Sequence, residues 1–99
     1  MSEYVLTALI EAHPGYEDEL KTKLQALVPP THKEEGCLEY TLHVESEARS
    51  KFMVYEVWAS EENWQSHVQS SHFLEFQEQA QAMIRQLELR RYQRSSRNP

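Results

Sequence analysis

Ninety-nine residues are enough for one domain around a single core, and too few for two. A hydrophobic fraction of 39% with ten aromatic side chains argues against a disordered chain, and a net charge of −6 argues against nucleic acid as the main partner. The lone Cys37 has no internal partner for a disulfide, and no signal peptide or apolar run of roughly eighteen residues is visible, so a cytoplasmic protein that neither enters nor crosses a membrane is expected.

The first predicted element is a strand over Tyr4–Glu11, apolar on both faces, with Tyr4, Leu6, Ala8 and Ile10 on one and Val5, Thr7 and Leu9 on the other. His13-Pro14-Gly15 turns the chain. Tyr16, Leu20, Leu24 and Leu27 then mark a helical stripe whose first turn carries Glu17, Asp18 and Glu19, where carboxylates complement the helix dipole. Pro29-Pro30 is expected to stop this helix, because neither proline donates to a helical ladder. One more turn over Thr31–Glu35 and a left-handed cap at Gly36 follow. Cys37–Glu45 alternates cleanly, with Leu38, Tyr40, Leu42 and Val44 opposite Glu39, Thr41, His43 and Glu45. A polar loop over Ser46–Ser50 returns the chain into a strand over Lys51–Trp58.

In that strand Phe52, Val54, Glu56 and Trp58 share a face, which places a carboxylate among aromatic neighbours. A buried Glu there needs a partner or a shifted pKa. Ser60 has the character of a helix N-cap, with Glu61 and Glu62 after it, and Trp64, His67 and Val68 share a face of the helix. Ser70-Ser71 permits a break before a second stripe of Phe73, Phe76, Ala80, Met83 or Ile84, and Leu87. Glu88–Arg94 reads as a last strand. The charge is uneven: residues 1–84 carry five cations and fifteen anions, net −10, whereas residues 85–99 carry five Arg and one Glu, net +4. That basic end is either a solvated tail or a contact with a second subunit.

The order β-α-β-β-α-β is the ferredoxin-like α+β arrangement, an antiparallel sheet with helices on one face. Strands apolar on both faces then call for a homodimer closed sheet to sheet.

The run Gly36-Cys37-Leu38-Glu39-Tyr40, then Glu56-Val57-Trp58, Ser60-Glu61-Glu62, His67 and His72-Phe73 resembles the antibiotic-biosynthesis monooxygenase (ABM) family over nearly the whole chain. The resemblance implies a dimeric α+β barrel with a small cavity in each subunit between the sheet and its helices, residues 1–94 forming the domain and 95–99 a polar tail. The family includes cofactor-independent oxygenases of quinols and anthrones, isomerases of a phosphorylated autoinducer sugar, and haem-degrading enzymes. The haem degraders need an Asn early in the first strand and a His further along the second long helix. Tyr4–Glu11 has no Asn and no His follows His72, so haem is set aside.

His67 is the candidate general base, against the alternative of a core histidine satisfied by a carbonyl or by Glu56. Glu56 is either the group that orients His67, an acid of raised pKa, or a structural hydrogen-bonding carboxyl. Trp58 and Trp64 offer a flat apolar wall for an aromatic ring, or plain core; Tyr40 offers a hydroxyl, and His72 sits at a helix start. With one Cys and no His pair at i,i+4 on a predicted helix, no metal site is expected, and two glycines make no phosphate loop. The expected activity is oxidation of a quinol-like or polyphenolic small molecule by O₂ without a cofactor. The alternatives are an isomerase of a phosphorylated sugar, for which cations before residue 85 are sparse, and a non-catalytic dimeric module that binds a small molecule.

Overall fold

Four antiparallel strands form one sheet in the order β2-β3-β1-β4, with helices packed on one side, in a computed structural model that describes residues 3–97. The elements are β1 (Tyr4–Ala12), α1 (Glu17–His32), β2 (Cys37–Glu45), β3 (Ala48–Trp58), α2 (Glu61–His67), α3 (Ser71–Ala80), a single 3₁₀ turn (Gln81–Met83) and β4 (Ile84–Tyr92). This is the ferredoxin-like α+β fold that the alternation of periods two and 3.6 predicts. Of the polar tail expected over 95–99, residues 98 and 99 lie outside the described residues.

Register explains which side chains meet. Leu6 pairs with Glu56, Ala8 with Val54 and Ile10 with Phe52, and on the far side of β3 Tyr40 pairs with Glu56 and Leu42 with Val54. The even positions of β1 and β3 therefore share the helix-facing side, and all of Tyr4, Leu6, Ala8, Ile10, Phe52, Val54 and Trp58 are buried there against Leu20, Leu24 and Leu27 of α1 and Ala80 of α3. Burial of this continuous apolar layer is the main stabilising term of the fold.

The helix does not stop at Pro29-Pro30. It continues through both to His32, although the prolines leave the carbonyls of Gln25 and Ala26 without ladder donors, because the last turn has other ties. Thr31 Oγ1 donates to Leu27 O at 2.7 Å, and His32 Nε2 lies 2.8 Å from Tyr40 O, so the end of α1 is fastened to β2. Leu38 does not join Tyr40 on the core face. An irregularity between Cys37 and Glu39 puts Cys37 opposite Trp58 and leaves Leu38 largely exposed, since one extra residue in a strand reverses the side on which its neighbours fall.

The loop between β2 and β3 is only the turn Ser46-Glu47, with β3 starting at Ala48. The second helical stripe also ends early. α3 stops at Ala80, and Ile84 and Leu87 belong to β4, which runs over Ile84–Tyr92 rather than 88–94. Their apolar spacing fits either element, and antiparallel pairing with β1 decides for the strand.

The helix-free side of the sheet is open. Val5 and Val57 are buried in it, Thr7, Leu9, Met53 and Tyr55 are half-buried, and a groove of about 510 Å³ crosses it between Leu9, His43, Met53 and Glu88. Thr7 Oγ1 is buried there without a hydrogen-bond partner among the described residues.

Candidate functional site

Three short segments converge on His67. The first is the turn after α1. Glu34 N donates to Thr31 O and Cys37 N to Glu34 O, while Gly36, at φ +81°, reverses the chain and its carbonyl accepts from Ala59 N at 2.8 Å. The second is α2. Ser60 caps it by accepting from Asn63 N, and Glu61 and Glu62 sit in its first turn, so His67 falls on its last residue. The third is the start of α3. Ser70 Oγ donates to His67 O at 2.7 Å and accepts from Phe73 N at 3.3 Å, which joins the two helices at their break and fixes His72 beside it.

The result is a His–Glu–His set. Glu34 Oε2 lies 2.8 Å from His67 Nδ1 and 2.6 Å from His72 Nε2; Ser70 Oγ stands 3.1 Å from the same His72 nitrogen. His67 is 1% exposed, and its ring is enclosed by Trp58 at 4.8 Å, Phe73 at 5.0 Å and Tyr40 at 5.4 Å between centroids. Burial lowers the His67 pKa; the Glu34 hydrogen bond and charge oppose this in part, and His72 adds to the lowering. With Nδ1 committed to Glu34, Nε2 is the ring nitrogen left to accept a proton.

Glu56 is buried but does not orient His67. Its Oε1 accepts from Trp58 Nε1 at 2.9 Å, along the same strand, and burial pushes its pKa up to about 7 against the opposing Trp58 hydrogen bond, with the Glu34 charge raising it further. The partner of His67 is Glu34, which sequence reasoning missed. Glu34 and Glu35 are adjacent acids in a turn, and nothing local distinguishes the one that reaches across 33 residues to His67 and 38 to His72.

Trp58 is fully buried, whereas Trp64 stacks on Tyr4 at 5.4 Å, so the two indoles do not make a common wall. Tyr40 is buried with its ring edge toward His67, and burial first, then the charges of Glu56 and Glu34, raise its hydroxyl pKa well above the usual phenolic range. The space between sheet and helices is filled around His67 by these rings. Of the set, His72 lines a groove of about 310 Å³ between α1 and α3, with Lys23, Leu27 and Phe76 among others.

The ligand-type atoms of Glu34, His67 and His72 all lie within 4.8 Å of one another. The set does not match a helical His pair at i,i+4, because its histidines are five apart across a helix break and its carboxylate comes from another element.

Comparison with known proteins follows the same outline. The family model for antibiotic biosynthesis monooxygenase matches residues 3–79, a span that holds the Gly36 turn, Glu34, His67 and His72. The chain belongs to this family. PA3566 from Pseudomonas aeruginosa is similar throughout, at 30% identity and a TM-score of 0.93 over 97% of both chains. Rv0793 from Mycobacterium tuberculosis shares the fold at 21% identity and a TM-score of 0.90, over 99% of this chain and 100% of that one. An uncharacterized protein of Bacillus subtilis, YjcS, is 29% identical over 62 residues, which are 63% of this chain and 59% of that relative. As an ABM-family protein it has no helix, among the described residues, long and apolar enough to cross a membrane.

Proposed function

We propose that this ABM-family protein is a monooxygenase that oxidises a quinol-like or polyphenolic small molecule with O₂, with His67 as the proton acceptor and no cofactor. The observation that carries the reading is a buried imidazole whose Nδ1 is fixed by a carboxylate at 2.8 Å and whose burial favours the neutral, proton-accepting form. Family membership supports a monooxygenase-type role.

The chemistry asks little of the protein. Nε2 of His67 takes a phenolic proton, and the electron-rich anion passes an electron to O₂. The radical pair joins at a ring carbon that bears hydrogen, the peroxide anion takes the proton back from the imidazolium, and the hydroperoxide loses water to leave a carbonyl. One oxygen atom of O₂ enters the product and the other leaves as water. Aromatic walls and exclusion of water favour the anion's reaction with O₂ over reprotonation. Glu34 stabilises the imidazolium while the proton is held, and the open sheet face supports assembly as a homodimer.

A second reading has one observation in its favour. Lys23 lines the same groove as His72, which suits a phosphorylated sugar whose carbonyl-adjacent proton is moved by the same base. Oxygen uptake with a panel of hydroquinones and polyphenols, beside an isomerisation assay on phosphorylated sugars, separates the two. Uptake that depends on His67 supports the oxygenase. Turnover of a sugar phosphate without uptake replaces it with the isomerase, and saturable binding without either reaction leaves a binding module.

A further inference from the structure

From the meeting of Glu34, His67 and His72, we infer a site for one divalent transition ion of the zinc class, whose occupancy switches off the proton acceptor. The donor set is two imidazoles and one carboxylate, drawn from the turn after α1, the end of α2 and the start of α3. Imidazole nitrogen with carboxylate oxygen suits zinc and its neighbours in the first transition row, and it is a poor set for calcium or magnesium, which take oxygen. Three protein ligands leave a fourth position for water.

The separations are close to what such an ion needs. Zinc–ligand distances place two donors of a tetrahedral ion roughly 3.3 Å apart. Glu34 Oε2 stands 2.8 Å from His67 Nδ1 and 2.6 Å from His72 Nε2, so these pairs open by about 0.5 and 0.7 Å when the bridging protons give way to the ion, while the two imidazole nitrogens, within 4.8 Å of each other, close by up to about 1.5 Å. The set can make that adjustment on one side. His67 is 1% exposed and held by the surrounding rings, whereas the side chains of Glu34 and His72 are 14% and 25% exposed. His72 lines the groove between α1 and α3, which gives an ion a path. Ser70 Oγ, 3.1 Å from His72 Nε2 and itself donating to His67 O, gives up that contact when the nitrogen takes the ion.

The functional consequence, unlike the site, rests on the proposed role of His67. Without the ion, the ring proton sits on Nδ1 toward Glu34 and Nε2 is free to accept. An ion bonded to Nδ1 obliges that proton to reside on Nε2, and a protonated Nε2 accepts nothing. Zinc therefore acts as an inhibitor that competes with the proton at the base, rather than as a catalyst.

The test uses the full chain without a polyhistidine tag, stripped with chelator and titrated with Zn²⁺ by calorimetry and with Co²⁺ by visible absorption. One ion per chain is expected, with the intense cobalt bands of a four-coordinate site and a raised melting temperature. His72→Ala and Glu34→Gln should each weaken binding by about tenfold or more. His43→Ala, which removes an exposed imidazole whose Nδ1 rests on Thr41 O, should leave it unchanged. His72→Ala carries the argument if Glu34→Gln melts early, because His72 is a partly exposed residue of the first turn of α3. Absent saturable binding, binding that survives His72→Ala, or binding lost in His43→Ala overturns the site. In the oxygen-uptake assay Zn²⁺ should inhibit at the calorimetric stoichiometry. Binding without inhibition removes His67 from the reaction but leaves the ion site, and a wild-type chain that binds no zinc, yet loses oxygen uptake on His67→Gln, does the reverse.

Discussion

His67 Nδ1 lies 2.8 Å from Glu34 Oε2, across 33 residues of sequence. That bond decides which nitrogen of a buried imidazole is available, and it ties the end of α2 to the turn after α1. Glu34→Ala should leave the Nδ1–H unsatisfied in a dry site, at a cost of about 1–3 kcal/mol in urea denaturation. A purely structural role ends there. A positioning role also moves the pH profile, because Glu34 raises the His67 pKa that burial lowers. The acid limb of kcat/KM, expected below the ordinary histidine value of 6.5 in wild type, should shift to still lower pH in the variant while the rate at its plateau falls. A lower melting temperature with an unmoved acid limb would remove Glu34 from the mechanism.

Glu56 makes the stability of the protein depend on pH in the opposite sense from an ordinary carboxylate. Its folded pKa is about 7 against an ordinary 4.5, so between these values the folded chain holds a proton that the unfolded chain has lost. Stability from this group is complete below about pH 4.5, declines as pH rises through about 7 and is flat above it. The upper bound is roughly 3 kcal/mol, from 1.36 kcal/mol for each pH unit of the difference. His67 works against it at the acid end: its lowered pKa costs stability as pH falls below the ordinary 6.5. Glu56→Gln keeps an acceptor for Trp58 Nε1 and removes the charge. Urea titrations at pH 5.5 and pH 8 should show the variant gaining stability relative to wild type at the higher pH, and equal differences at the two pH values would refute the assignment.

Much of the fold is legible in the sequence for a simple reason. Strand alternation and helical stripes are local, and in this chain each buried face is nearly unbroken, as the run Tyr4, Leu6, Ala8, Ile10 illustrates. The failures occur where local rules compete. Pro29-Pro30 reads as a stop, yet a side-chain bond from Thr31 within the helix and a tie from His32 to β2 offset the missing donors. Ile84 and Leu87 fit a helical stripe as well as a strand, and only pairing with β1 separates the two. His67 is a candidate in the sequence because of its place in the family-like pattern. Its partner is not, since a carboxylate brought from a distant turn leaves no periodic trace. The hydrogen bond from Trp58 to Glu56 is the converse case: both residues stand out in the sequence, but strand alternation does not predict that i,i+2 neighbours on one face satisfy each other.

Gly36 is the position where the turn carrying Glu34 tolerates least. Its φ of +81° disfavours any side chain, and an added Cβ would also meet the amide end of Asn63, which Ser60 Oγ pins at 2.7 Å. Gly36→Ala should destabilise the protein by about 1–3 kcal/mol. Adding Asn63→Ala, which keeps the backbone N–H that Ser60 accepts, should restore the steric part of the loss and leave the backbone part. Full recovery in the double variant would show that the left-handed conformation costs little here.

The open face of the sheet leads to an oligomeric prediction. Val5, Met53, Tyr55 and Val57 face that side, and Arg94 lines a pocket there with Val5 and Tyr55 but is already bonded to Glu3 of its own chain at 2.9 Å, so its charge needs no partner subunit. Light scattering should report twice the 11.7 kDa chain mass at micromolar concentration. Met53→Lys should shift the population to monomer, because a charge would be buried unpaired at the centre of the face. Truncation after Gln93 should have little effect. A wild-type monomer would refute the sheet-to-sheet dimer, and loss of the dimer on truncation would move the interface to the tail.

The remaining prediction separates chemistry at His67 from its place in the core. His67→Gln retains similar reach and hydrogen-bonding capacity toward Glu34, in a cage of Tyr40, Trp58 and Phe73 that a smaller, flexible side chain also enters. What it lacks is an acceptor that titrates near neutral pH. If Nε2 takes the substrate proton, oxygen uptake by the chelator-treated variant should fall by about two to four orders of magnitude, while its melting temperature and oligomeric state stay close to wild type. A substrate that is already ionised at the assay pH should lose much less, because it needs no base to form the anion that reacts with O₂. That second comparison distinguishes a lost base from a distorted pocket, which would slow both substrates alike. If the packing of the imidazole is its whole contribution, stability should drop by roughly 1–3 kcal/mol and the folded fraction should turn over normally with either substrate. A destabilised variant of undiminished specific activity would leave the groove beside His72 without a base and assign the reaction, if any, to other residues.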